Sequence, residues 1–194
     1  MRRQLRFFGS AGQTLIEFAI VLPLLVLVVL GVVEVGYLLL DQHVVTKLTR
    51  EGSNLISRNT SLQDAGNAMT SMATPPVNFA SGSTLIFSVI RNVATTGATN
   101  YNQPVLYARY QVGNLARSSA LATRGSASFG LPPDYQASNS DNDSNLQVTN
   151  LPPNIVTLGQ MLYVTEIYSS HTSITPLANF GVTVPQTLYS IAYF

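Results

Sequence analysis

The sequence predicts an α+β chain. A long N-terminal helix, transmembrane in its first half and amphipathic in its second, packs on a small antiparallel β-sheet of about four strands. Three observations carry this reading. An apolar run fills Leu15–Leu40. Apolar residues at heptad spacing continue beyond it to Met69. Four short runs rich in β-branched and aromatic residues follow, bounded by turn residues.

The first element is a short basic stretch. Arg2, Arg3 and Arg6 are three of the ten basic residues in 194, and Gly12 closes the stretch. Without residues 1–12 the chain keeps seven basic and nine acidic side chains, a net charge of −2. No basic patch for nucleic acid remains. Charged residues are only 10% of the chain, against about 25% in ordinary soluble domains. Mean hydropathy is +0.22, and the apolar excess is concentrated between Leu15 and Leu40. The chain has no cysteine, which excludes disulfides, thiol catalysis and cysteine-based zinc sites.

Leu15–Leu40 is 26 residues long, roughly 39 Å as a helix, enough to cross a bilayer with some tilt. The leader arginines place the N-terminus on the cytoplasmic side by the positive-inside rule. A secretory signal would have a shorter apolar run and a small-x-small cleavage site. This run is longer and ends in Tyr37-Leu38-Leu39-Leu40-Asp41. Two carboxylates interrupt it. A charge near mid-bilayer costs roughly 2.5–3.5 kcal/mol and less near an interface, so Glu17 and Glu34 each need a partner, water or protonation. Glu34 reads most simply as an interfacial residue near Tyr37 and Asp41. Pro23 removes one backbone hydrogen bond and is expected to kink or loosen the helix near Ala19–Ile20.

At this point the residues resemble a known family. The run Gly12-x-x-x-x-Glu17-Phe18, then Ala19-Ile20-Val21-Leu22-Pro23, then Gly31-Val32-Val33-Glu34-Val35-Gly36, is similar to the N-terminal signature of TadE/TadG-like pseudopilins. These are minor pilins of the tight-adherence (Flp, type IVb) pilus systems of bacteria. The resemblance continues through Val44–Gly52, with its Arg50-Glu51-Gly52 ending, and covers about residues 9–58. In the C-terminal half it is looser, a strand ending at Tyr168 and a Thr175-Pro176-Leu177 turn. It implies a pilin-like fold. It implies a leader, residues 1–12, cut after Gly12 by a membrane prepilin peptidase, so that Gln13 begins the mature chain. Glu17 is then its fifth residue and Phe18 its sixth. The glutamate would help dock subunits by pairing with a neighbour's terminal amine, since buried opposite charges are tolerable only when paired. Gly9 fits less well, because cutting there would put Glu17 eighth.

The resemblance also implies partners: the prepilin peptidase, other pilin or pseudopilin subunits, the inner-membrane assembly platform and the lipid bilayer. The implied location is the bacterial inner membrane, single pass, with the C-terminal domain periplasmic or extracellular and the subunit able to enter the pilus. Major pilins of these systems are short and almost wholly helical. About 135 residues beyond the helix therefore suit a minor pilin. The alternative is an uncleaved single-pass membrane protein with an extracytoplasmic partner-binding domain.

The helix is expected to run over 13–74. Leu48, Leu55, Leu62 and Met69, with Val44, Val45, Ile56, Ala65 and Met72, form an apolar stripe for the chain's own sheet or for a second subunit. Gly52 and Gly66 weaken the helix, with a break expected near Gly66, and Pro75-Pro76 ends it. The β-rich domain then spans 77–194. Its strands are expected at Ser83–Arg91, Pro104–Val112, Gln160–Tyr168 and Gln186–Phe194, with a short helix at Ala116–Thr123. Residues 125–158 read as a long loop, of the kind usually functional or disordered.

No catalytic constellation is legible, and neither enzymatic activity nor a cofactor is expected. Asp141, Asp143 and Asn145 resemble the start of a calcium loop, but Leu146 and Pro152 replace the expected glycine and glutamate. The segment reads as a polar solvated loop, with a weak divalent site as the alternative. His43 and His171 form no zinc-spaced pair. No Gly-x-Ser-x-Gly elbow or phosphate loop occurs.

Overall fold

A computed structural model describes residues 11–194. The leader expected over residues 1–12 lies outside them except at Ala11 and Gly12. The elements are α1 (Ala11–Ile56), α2 (Leu62–Met72), β1 (Ser83–Asn92), β2 (Pro104–Gly113), β3 (Met161–Ser170) and β4 (Thr187–Tyr193). Short 3₁₀ turns lie at Ser144–Leu146 and Pro176–Phe180. The fold is α+β, a long N-terminal helix packed on a four-stranded antiparallel sheet.

The chain divides into two compact units: residues up to Leu39 with Thr172–Val184, and Leu40–His171 with Pro185–Phe194. In the second unit the sheet order is β2-β1-β3-β4, every pair antiparallel. All four strands fall within two residues of their expected bounds. β1 is buried along nearly its whole length, because it is central and covered on both faces. Phe87 is paired with Tyr110 and Thr165 and faces the helices. Ile86 and Ile90 point the other way.

The helical face is built from Val45, Leu48, Thr49, Gly52, Ser53 and Ile56, all buried. Their spacing is that of one stripe at 3.6 residues per turn. Leu55 and Val44 are only half-buried and Met72 is exposed, so the covered stripe departs from the strict seven-residue repeat. The partner is the chain's own sheet. Ser53 donates to the Ala192 carbonyl at 3.0 Å, and Gln42 to the Tyr189 carbonyl at 3.1 Å.

The helical region breaks at 57–61, ahead of the expected Gly66. Asn59 takes a left-handed φ of 60°, which asparagine tolerates better than most residues. Ser61 then caps α2. Its hydroxyl accepts from the Asp64 N–H at 3.1 Å, an N-cap bond, and donates to the Asp64 carboxylate at 2.7 Å. Gly66 sits inside α2 for a packing reason. A Cβ there would lie 2.5 Å from the Tyr110 ring.

The other sheet face is covered by the segment that the sequence reads as loop. Leu121, Val148 and Val156 pack on Ile90, Leu106, Leu162 and Val164. Isolated bridges Val105↔Gln147, Ala108↔Gln136 and Thr123↔Val148 hold this layer down. Ala116–Thr123 is not helical. Its backbone is drawn instead to a buried carboxylate, as described below.

The close approach at Gly52 gives a test. A Cβ there would meet Thr165 Cγ2 at 2.8 Å and Phe87 Cε1 at 3.1 Å, both side chains fully buried. Gly52→Ala gains about 1 kcal/mol of helix propensity, while overpacking typically costs about 1–3 kcal/mol. The net expectation is a destabilised domain, read as a lower melting temperature in detergent. The same exchange at Gly36, which faces open space, should not destabilise.

Candidate functional site

The N-terminal stretch of α1 carries the residues singled out by sequence. A Cβ at Gly12 would meet nothing within 4 Å. Gln13 donates to Glu17 Oε1 at 3.0 Å, one helical turn apart on an exposed face. Phe18 is 62% exposed, and every residue from Gln13 to Val26 is exposed. Pro23 is accommodated within the helix. Helix is the form an apolar segment takes when its backbone must satisfy itself. Gly12, Gln13, Glu17 and Phe18 thus lie within two turns of one another at the start of α1, all exposed.

Glu34 is different. It is 1% exposed, and its cover comes from far away in sequence. Thr175 donates to Glu34 Oε2 twice, from its backbone N–H at 2.9 Å and its hydroxyl at 2.7 Å. Multiple donors are what a carboxylate in an apolar setting requires. Tyr37, expected beside it, is 50% exposed. His171 Nδ1 lies 2.8 Å from Asp41 Oδ2, within hydrogen-bond distance.

A second buried carboxylate, Glu166 on β3, has no signal in the sequence beyond a polar residue inside a strand. It is fully buried. Ser119 donates to Oε2, the Ala120 N–H to Oε1 at 2.7 Å, and the Tyr189 hydroxyl to Oε1 at 3.0 Å. Arg109 reaches Ser119 and Ser88, both at 3.1 Å. Burial pushes the Arg109 guanidinium below its usual range, and the Glu166 charge partly offsets this. Burial, then the Glu166 charge, pushes the phenols of Tyr168, Tyr189 and Tyr193 upward. These groups clamp residues 115–122 onto the sheet. Ser119 is held on all sides and has no histidine base, so the cluster reads as structural.

Asp141, Asp143 and Asn145 are also engaged. The Asp141 carboxylate pairs with Arg91 and accepts from the Thr95 hydroxyl at 2.7 Å. Asp143 caps the 3₁₀ turn by accepting from the Asn145 N–H at 3.0 Å. The Asn145 side chain lies against Gly125. These bonds clamp the turn. Among the described residues no cluster of three or more metal-ligating side chains occurs.

Two outcomes follow. Glu34→Ala removes the acceptor for two Thr175 donors, so amide exchange at Thr175 should accelerate about tenfold or more. Unchanged protection would show that the turn is held by other contacts. The raised tyrosines give the pH response. A phenol whose folded pKa is raised favours the folded state while it stays neutral. That stability is complete below about pH 10, the ordinary tyrosine value, and is lost as pH rises through the higher folded values. Melting temperature should therefore be flat in this respect at neutral pH and fall above about pH 10, with phenolate absorbance appearing together with unfolding.

Residues 12–54 match the family model described as TadE-like protein. The match spans α1 almost end to end, including Gly12, Glu17, Phe18, Pro23 and Glu34. No curated protein and no solved structure matches the chain. Over residues 12–54, the helix that carries Gly12, Glu17, Phe18, Pro23 and Glu34, the chain is similar to the TadE-like family.

Proposed function

We propose that this chain is a minor pilin-like structural and assembly subunit of a type IVb tight-adherence pilus. The observation that carries the proposal is the TadE-like match over residues 12–54, on a helix whose apolar side chains from Leu15 to Val26 have no protein around them. A helix of that composition is stable in lipid, where its backbone is satisfied internally and its side chains find an apolar solvent. The subunit is held in the inner membrane by a single span, N-terminus cytoplasmic and β-rich domain periplasmic or extracellular. Its role is assembly and not catalysis.

In this reading prepilin peptidase cuts after Gly12. Glycine suits that position, since a bond without a neighbouring Cβ admits a close backbone approach. The cut frees the Gln13 amine. Glu17, whose described partner is the neutral Gln13 amide, is then available to pair with the amine of a neighbouring subunit. Such a pair makes two charges tolerable at low dielectric. Phe18 and the apolar face around it supply the contact with other pilin subunits. The assembly platform acts on the same span.

The mass of the protein purified from membranes of a host with its prepilin peptidase tests the reading. A chain beginning at Gln13 is expected. An intact leader, together with absence from sheared filaments, would instead favour the uncleaved, partner-binding alternative. Glu17→Ala should leave membrane insertion intact while lowering incorporation into filaments about tenfold or more, as loss of a buried charge pair does. Normal incorporation would remove the docking role.

A further inference from the structure

The segment Thr172–Val184 belongs to the same compact unit as the apolar half of α1. It contains no charged residue. It is tied to α1 at Glu34 through Thr175, and Leu177 is buried. The face of α1 that carries Glu34 also carries Leu27, Leu30, Gly31 and Leu38, at helical spacing. These four are partly buried, whereas their neighbours around the helix are exposed. Thr172–Val184 is the one other described segment of that unit. It therefore lies along α1 beside the last turns of the apolar run. Its outer side is apolar: Ile174 is 55% exposed, Phe180 61% and Val182 49%.

The geometry points to a second membrane contact: Thr172–Val184 is a strap that lies in the outer leaflet beside α1 and presents Ile174, Phe180 and Val182 to lipid. The inference rests on α1 being a membrane span. From Leu15 to Val33 that helix is roughly 28 Å long, close to the thickness of the hydrocarbon core. Glu34 then falls at the outer boundary, with the strap's donors on its carboxylate. Part of the strap's backbone is bonded, as placement at this depth favours. The Thr175 N–H goes to Glu34, the Gly181 N–H to the Ala178 carbonyl at 3.1 Å and the Val182 N–H to the Leu177 carbonyl at 3.2 Å. An uncharged, aromatic-bearing surface continuous with a span is what lipid accepts and water does not.

The chain has no tryptophan, so single tryptophans report position in the full chain reconstituted into phosphatidylcholine vesicles. Phe180→Trp tests the strap. Leu25→Trp marks the span, and Leu131→Trp, at an exposed position, marks water. Lipids brominated near the head-group end of the acyl chain should quench Phe180→Trp about twofold or more over Leu131→Trp, as for an interfacial side chain. Acrylamide should show the reverse order. If Phe180→Trp fails to fold, Val182→Trp serves. Acrylamide access at the strap equal to that of Leu131→Trp, with Leu25→Trp quenched by lipid, overturns the strap and leaves the span standing. Loss of lipid quenching at Leu25→Trp overturns both. Shielding of the strap from both quenchers that disappears on dilution into excess lipid assigns the surface to a second copy of the chain, and also overturns the lipid contact.

Discussion

Everything in this structure depends on one continuous helix that meets two environments. From Gln13 to Val26, α1 is exposed on every side, and its apolar side chains have no protein to pack against. From Val45 to Ile56 the same helix buries one stripe on its own sheet. Helix is the single regular form that suits both, because its backbone hydrogen bonds are internal. What changes along it is the side-chain pattern, from apolar all round to apolar on one stripe. The close approach at Gly52 marks the second regime, since a backbone can lie on Phe87 and Thr165 only where no Cβ intervenes.

Irregular segments are fixed by carboxylates in a consistent way. Glu34 gathers Thr175, Glu166 gathers Ser119 and Ala120, and Asp141 gathers Arg91 and Thr95. Glu34 and Glu166 each satisfy several donors of a segment that lacks regular secondary structure, and Asp141 ties such a segment to Arg91 on β1. This matters in a chain with few charges. Leaving any of these acids unpaired would cost more than the pairing gains, so each fixes its segment more firmly than a neutral contact would.

Much of this was legible in residues alone. The strands are, because their β-branched and aromatic runs are bounded by Gly, Pro and Asn. The span is, because it is long and continuous. The break at 57–61 had a signal in Asn59 and in Ser61-x-x-Asp64, but Gly66 is the stronger helix breaker by propensity alone, and its packing against Tyr110 depends on a strand 44 residues away in sequence. The partner of Glu34 lies 141 residues off and leaves no local trace. The layer at 115–158 was illegible for a similar reason, since its bonds join residues 20 or more apart in sequence, to strands, to Glu166 and across the layer itself. Gly12, Gln13, Glu17 and Phe18 stand out only in the sequence pattern. Among the described residues all four are exposed, so the fold around them adds little to that pattern.

The division of α1 between lipid and sheet is tested most directly by a spin-label scan. The chain has no cysteine, so single cysteines can be placed from Leu15 to Ile56 in the protein reconstituted in vesicles. The expected profile has oxygen access exceeding that of a water-soluble nickel chelate at every position from Leu15 to Val26, on all faces. It then gives immobile labels at Val45, Leu48 and Ile56, alternating with mobile ones at His43, Lys47 and Glu51. A 3.6-residue alternation of mobility through Leu15–Val26, or water-like access there, would contradict it.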